Sequence, residues 1–214
     1  VLITILALPI AITSCDSQLE QETFGQISPE SFFNNEEEFL SAVSAAYSPL
    51  RGFIFNPFDL AEHSADQVMV PTRGPDWGDG GQWRVLTQHE WTPTHPFLNA
   101  NWGQFQTGIS RTNGLLSSLA SSEALSEEQT ARFAAEVRFL RAFYYYWLMD
   151  LFGNVPIVVE DGSDLDFPQQ PVSSDNPPAQ NTRKEVYDFI LQELTGCTSD
   201  NFDTSCVDSP SDGS

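Results

Sequence analysis

The chain has 214 residues, 40% hydrophobic and 12% aromatic, and sets thirty acids against nine bases for a formal charge of −21. That is enough apolar material for one domain with a buried core. The acidity excludes a basic nucleic-acid footprint, and with Lys184 as the single lysine it also excludes electrostatic adhesion to an anionic lipid surface.

Residues 1–14 are almost wholly apolar and stop abruptly at Cys15-Asp16-Ser17. Such a run is too short to span a bilayer and has the length of the hydrophobic region of a signal peptide. It ends Ile12-Thr13-Ser14-Cys15, which looks like a bacterial lipobox. The expectation is an incomplete lipoprotein signal peptide over 1–14, with Cys15 taking the lipid and anchoring an exported protein to a membrane. That leaves Cys197 and Cys206, with eight residues between them, either to close a small disulfide loop or to stay free.

Four helices are then predicted in chain order. Ser28-Pro29-Glu30 offers a short start, with proline at the first helical position. Asn35 caps the first main helix ahead of Glu36-Glu37-Glu38, and Phe39, Val43, Ala46, Tyr47 and Leu50 fall on one face. A second runs from about Asn101 to Ala120 through Trp102, Phe105, Ile109, Leu116 and Leu119, with Asn113-Gly114 as a candidate interruption. The third starts in a capping box, Ser126-Glu127-Glu128-Gln129, repeats Phe133, Val137, Leu140, Tyr144, Trp147 and Leu151, and closes at Phe152-Gly153 before Pro156. The short link between the second and third predicts an antiparallel helical hairpin. Thr182 and Glu185 cap the fourth, whose apolar positions are Val186, Ile190, Leu191 and Leu194, with Gly196 to end it.

Between these lie two long connections read as non-helical. Residues 51–99 are broken by Pro57, Pro71, Pro75, Pro93 and Pro96 and by Gly74, Gly78, Gly80 and Gly81. After an extended run at Val155–Glu160 comes an acidic, proline-rich stretch over 161–181. Beyond residue 195 the chain is rich in Asp and Ser, the composition of a tail or a truncated insertion. The resulting division is 1–14, 15–195 and 196–214.

The run Ala135-Glu136-Val137-Arg138-Phe139-Leu140-Arg141-Ala142-Phe143-Tyr144-Tyr145, followed by Leu151-Phe152-Gly153-Asn154-Val155-Pro156, resembles the signature of the SusD/RagB family. Ser31-Phe32-Phe33, Trp102 through Arg111-Thr112-Asn113, and Arg183 through Ile190 match in order, and the lipobox sits where that family carries its own. The likeness covers the chain to about residue 195 but only the front of the family. It implies an all-α fold of tetratricopeptide-like helical hairpins with long irregular loops. It further implies an outer-membrane, surface-exposed lipoprotein, not an enzyme and without a cofactor. Such a protein captures oligosaccharides, or sometimes peptides, for a SusC-like TonB-dependent transporter. A helical-repeat envelope scaffold without a small-molecule ligand is the alternative.

The residues themselves carry no catalytic motif: no Gly-x-Ser-x-Gly elbow, phosphate loop or His-Glu-x-x-His occurs. His63, His89 and His95 all fall in the 51–99 connection and read as polar surface, and no metal-ligand spacing is present. Binding is better served. Trp77, Trp83 and Trp91 lie in that connection with Arg73 and Arg84, and make the candidate ligand-binding set. An indole offers a flat polarizable face to the C–H face of a sugar ring, while arginine supplies directional donors for its hydroxyl rim. The competing reading is that these tryptophans anchor the connection to the helical body. Phe143 through Trp147 read as core, and Glu136, Arg138 and Arg141 as interhelix pairing.

Overall fold

The computed structural model describes residues 32–53, 55–159 and 177–195. The signal-peptide run, Cys15, the Ser28-Pro29-Glu30 start, most of the acidic stretch, Gly196 and the Asp/Ser-rich tail lie outside them. Six α-helices occur among the described residues: α1 (Glu36–Tyr47), α2 (Asn56–Ser64), α3 (Gln82–Thr87), α4 (Pro96–Ser121), α5 (Glu127–Phe152) and α6 (Arg183–Thr195). Two isolated bridges, Arg73 with Asp76 and Val155 with Asn181, are the extended pairings seen there. The fold is all-α.

Local chemistry sets the helix ends. The Asn35 side chain accepts from the Glu38 amide, placing three acids in the first turn of α1, where the helix dipole favours them. At α5 the capping box closes reciprocally, Gln129 N–H to Ser126 Oγ at 3.2 Å and Ser126 N–H to Gln129 Oε1 at 2.9 Å. Gly153, at φ 76°, ends α5 in a backbone conformation that a side chain would strain.

The hairpin α4–α5 is the spine, and two groups of buried side chains line it. Towards the turn, Phe39 and Val43 of α1 meet Leu115, Leu116 and Leu119 of α4 and Phe133 and Val137 of α5. Towards the open end, Phe105 and Ile109 meet Leu140, Tyr144, Tyr145 and Leu148, with Val186, Phe189 and Ile190 of α6 on the other side of α5. Each fully buried Phe or Leu here contributes about 1.5–3 kcal/mol. Of the sequence-expected face of α1, Tyr47 is instead exposed and hydrogen-bonds Glu136 at 2.8 Å, while Leu50 sits in a following 3₁₀ turn, Ser48–Gly52.

Polar staples hold the chain after α5. Val155, Ile157 and Val159 alternate inward as a half-buried extended run should. Tyr145 Oη accepts from Val158 N–H at 2.8 Å, and Asn113 Nδ2 donates to the Val158 carbonyl at 2.9 Å. Asn113-Gly114 does not interrupt α4, which runs straight through. On α6, Phe189 and Glu193 turn inward and Leu194 stays half exposed, so the sequence reading of its last turn is off by one position.

The 51–99 connection is a larger correction, because it holds α2, α3 and the first turn of α4. Pro57 and Pro96 stand at the starts of α2 and α4, where the missing N–H costs nothing. Two of its histidines are buried rather than surface groups, His63 at 2% and His95 at 5% exposed.

Thr182 caps α6. Its N–H and hydroxyl both donate to Glu185 Oε2, at 2.6 and 2.8 Å, and these bonds, the backbone one foremost, hold the Glu185 carboxyl below its ordinary pKa. A lowered carboxyl stabilises the fold above its unfolded value and loses that contribution as pH falls through the folded one. Glu185→Gln should therefore melt below the parent at neutral pH, and the gap should close once the medium is more acidic than the carboxylate range. Paired thermal melts across pH check this; a gap unchanged by acid would refute it.

Candidate functional site

The five predicted residues occupy the segment between α2 and α4, and the structure distributes them. Arg73 begins a tight turn in which its N–H and carbonyl bond Asp76 reciprocally at 3.0 Å, with Gly74 at φ 60°. Trp77, 57% exposed and at φ 59°, follows, and Asp79, Gly80 and Gly81 all hold positive φ as well. The two glycines make that left-handed passage feasible.

Trp83 is the anchor. Half-buried in the first turn of α3, its ring lies 4.9 Å from His63 and 4.8 Å from Phe97, and its Nε1 donates to Asp79 Oδ2 at 2.8 Å. Trp77 meets it edge-on at 6.4 Å. Beneath, His63 Nδ1 donates to the Val68 carbonyl at 3.0 Å, and Asp59 stands 3.9 Å from Nε2. Burial raises the Asp59 carboxyl pKa, against the opposing pull of His63.

His89 and His95 fasten the same segment. His89 Nε2 donates to the Ser64 carbonyl at the end of α2, 2.7 Å away. His95 Nε2 donates to the Gln82 carbonyl at 3.1 Å, while its Nδ1 accepts from Phe97 N–H at 3.3 Å and so caps α4. All three histidines of the chain thus tie this segment to backbone carbonyls.

Trp91 and Arg84 face different hollows. Trp91, 39% exposed and edge-on to His89 at 5.5 Å, lines an open groove of about 600 Å³ with Pro93, Leu98, Asn99, Trp102, Leu151 and Phe152. Trp102 meets Phe152 edge-on at 5.1 Å across its floor. Arg84 lines a smaller hollow of about 310 Å³ with Met69, Val70, Pro71, Thr72, Thr87 and Gln88. The structure therefore joins Trp77 to Trp83 and separates Trp91 from Arg84. Sequence reasoning missed Trp102, Leu151 and Phe152 as groove residues, because their periodicity reads as core. The groove exists only where the end of α5 returns beside the start of α4.

Aromatic side chains around a concave, pre-formed hollow suit a small, partly apolar ligand. Among the described residues no group of His, Cys, Asp and Glu is placed to hold a metal ion. None of the described helices is long and apolar enough to cross a membrane.

A family model described as SusD-like, starch-binding associating with outer membrane, matches residues 61–199. The chain belongs to the SusD-like family. The match takes in α3 to α6 and the whole aromatic segment after α2. Among SusD-like relatives, it is 26% identical over 200 residues to SusD-like protein P2 of Formosa agariphila, covering 90% of this chain and 36% of that protein. It is 26% identical over 154 residues to the starch-binding protein SusD of Bacteroides thetaiotaomicron, covering 71% of this chain and 24% of that one. Among solved structures, a laminarin-binding SusD-like protein superposes with a TM-score of 0.62 at 28% identity, over 77% of this chain and 34% of that one. The surface glycan-binding protein A of Bacteroides uniformis gives 0.59 at 25%, over 76% and 34%. The chain thus spans between about a quarter and just over a third of the length of these relatives.

Proposed function

We propose that this chain belongs to a cell-surface lipoprotein that captures nutrient oligosaccharides and delivers them to a SusC-like TonB-dependent transporter in the outer membrane. Cys15 carries the lipid anchor, and no chemistry is performed on the ligand. The observation that carries the reading is the open groove of Trp91, Trp102 and Phe152 in a SusD-like chain, since flat aromatic faces on a concave surface match the C–H faces of sugar rings. Relatives named for starch, laminarin and surface glycans support it.

Within the candidate set the roles divide. Trp91 is the stacking face; Trp77, the most exposed indole, is a second platform carried on the strained turn; Arg73, which begins that turn, and Arg84, on the smaller hollow, supply donors; Trp83 holds the segment in place. Titration calorimetry with soluble starch and laminarin tests the reading. Saturable binding is expected, and Trp91→Ala should weaken it by about tenfold or more, the equivalent of roughly 1.4 kcal/mol. Trp83→Ala should instead lower the melting temperature, because it removes the ring that joins α2, α3 and α4. Absence of saturable binding by the folded chain would overturn glycan capture and leave an envelope scaffold.

A further inference from the structure

The Trp91 groove is uncharged in a protein that is strongly acidic. Six of its seven lining residues are aromatic, aliphatic or proline, and the seventh is Asn99, whose amide donates to the Thr94 carbonyl at 3.3 Å. None of the described lining residues is a base, and six of the chain's nine bases are placed elsewhere. Arg111 donates to the Ala45 carbonyl and to Ser48, Arg132 pairs with Glu36 at 2.7 Å, Arg141 with Glu193, and Lys184 with Asp188. Arg84 lines the other hollow, and Arg73 begins the turn before Trp77. Next to the lining residues in the chain stand two exposed acids, Glu90 before Trp91 and Asp150 before Leu151; exposed Arg183 stands by Asn154, two residues past Phe152, its backbone N–H donating to Asn154 Oδ1 at 3.0 Å.

A carboxylate or sulfate entering this groove would shed water against apolar walls and find no cation among the described lining residues. Burying an unpaired charge is costly. It would also approach a chain of formal charge −21, whose field repels anions before contact. An uncharged sugar meets neither obstacle, because its C–H faces suit indole and phenyl rings and its hydroxyls remain in the open mouth.

We propose that the Trp91 groove selects uncharged saccharides and rejects those bearing carboxylate or sulfate groups. This rests on the glycan-binding reading above and narrows it to a ligand class. The discrimination is by exclusion: the described lining residues include no arginine or lysine of the kind that an acidic glycan requires.

The test uses the full chain with soluble starch and laminarin, each compared with its carboxymethyl, sulfated and diethylaminoethyl derivatives at matched substitution, at low and high sodium chloride. The neutral polymers should bind with little salt dependence, and Trp91→Ala should weaken them. The two anionic forms should bind at least about tenfold more weakly at low salt, with the gap narrowing as salt screens the repulsion. The cationic form should bind better than the anionic ones, which separates charge from bulk. Anionic forms binding as tightly as the neutral polymers, or cationic forms failing to the same degree, would overturn the selectivity. Neutral binding untouched by Trp91→Ala would overturn its placement in this groove. If no polymer of any charge binds, the parent reading fails and this one with it, a result distinct from equal binding of all forms.

Discussion

Replacing Arg141 with alanine should destabilise the protein by about 3–5 kcal/mol, the loss expected when one member of a buried ion pair is removed. Arg141 Nε donates to Glu193 Oε2 at 2.6 Å and Nη2 to Oε1 at 2.9 Å, with both side chains fully buried. Its Nη1 reaches Asn113 Oδ1 at 2.9 Å, and the guanidinium lies 5.6 Å from the centre of the Phe189 ring. One side chain therefore links α4, α5 and α6. Alanine would leave the Glu193 carboxylate inside the core without its main cation, and would free Asn113, whose amide also holds the Val158 carbonyl. Glu193→Gln should cost less, because the amide keeps the volume and one acceptor. A paired Arg141→Met, Glu193→Leu variant should recover most of the loss, since no buried charge remains. Urea unfolding of the four proteins measures this. A loss below about 1 kcal/mol for Arg141→Ala would mean that water already reaches the pair.

The same residues explain why the fold was legible in the sequence and the site less so. The signature run over 135–145 is a set of structural constraints: Arg141 pairs with α6, Tyr144 Oη donates to the Ala46 carbonyl of α1 at 2.6 Å, and Tyr145 binds the chain after α5. Burial and hydrogen bonding force residue types at helical spacing, and a sequence displays that spacing directly. The capping box of α5, its glycine stop and the interhelix roles of Glu136 and Arg141 were readable for this reason. The 51–99 segment obeys no period. Its prolines start α2 and α4 as readily as they break helices, and its order comes from three histidine-to-carbonyl bonds between residues five to twenty-five positions apart. The groove is less legible still, because Trp91 and Phe152 meet only through the tertiary return of α5. Tryptophan content pointed to this segment, but division into an anchor, an exposed platform and a groove wall required the fold.

Two glycines on α4 should answer the same substitution with opposite signs. At Gly108 an added Cβ would lie 2.5–2.6 Å from three atoms of the Tyr144 ring, closer than carbon atoms approach without displacement. That ring is fully buried, and its hydroxyl is held by Ala46, so it has no direction in which to yield. Overpacking of this kind costs about 1–3 kcal/mol, which outweighs the gain of roughly 1 kcal/mol that alanine brings to a helix interior. At Gly114 no heavy atom lies within 4 Å of the added Cβ and the residue is exposed, so only the helical gain remains. Gly108→Ala should thus lower the melting temperature by several degrees and Gly114→Ala should raise it by a few, given that 1 kcal/mol shifts a domain of this size by about 2–4 °C. Thermal melts of both variants read the outcome. Stabilisation at Gly108 would show that α4 and α5 can part by a fraction of an ångström. The close approach of α4 to Tyr144 would then not be fixed by the tyrosine bond to α1. Destabilisation there, beside stabilisation less than two turns along, identifies Gly108 as the point where small size is required and Gly114 as one where it is merely tolerated.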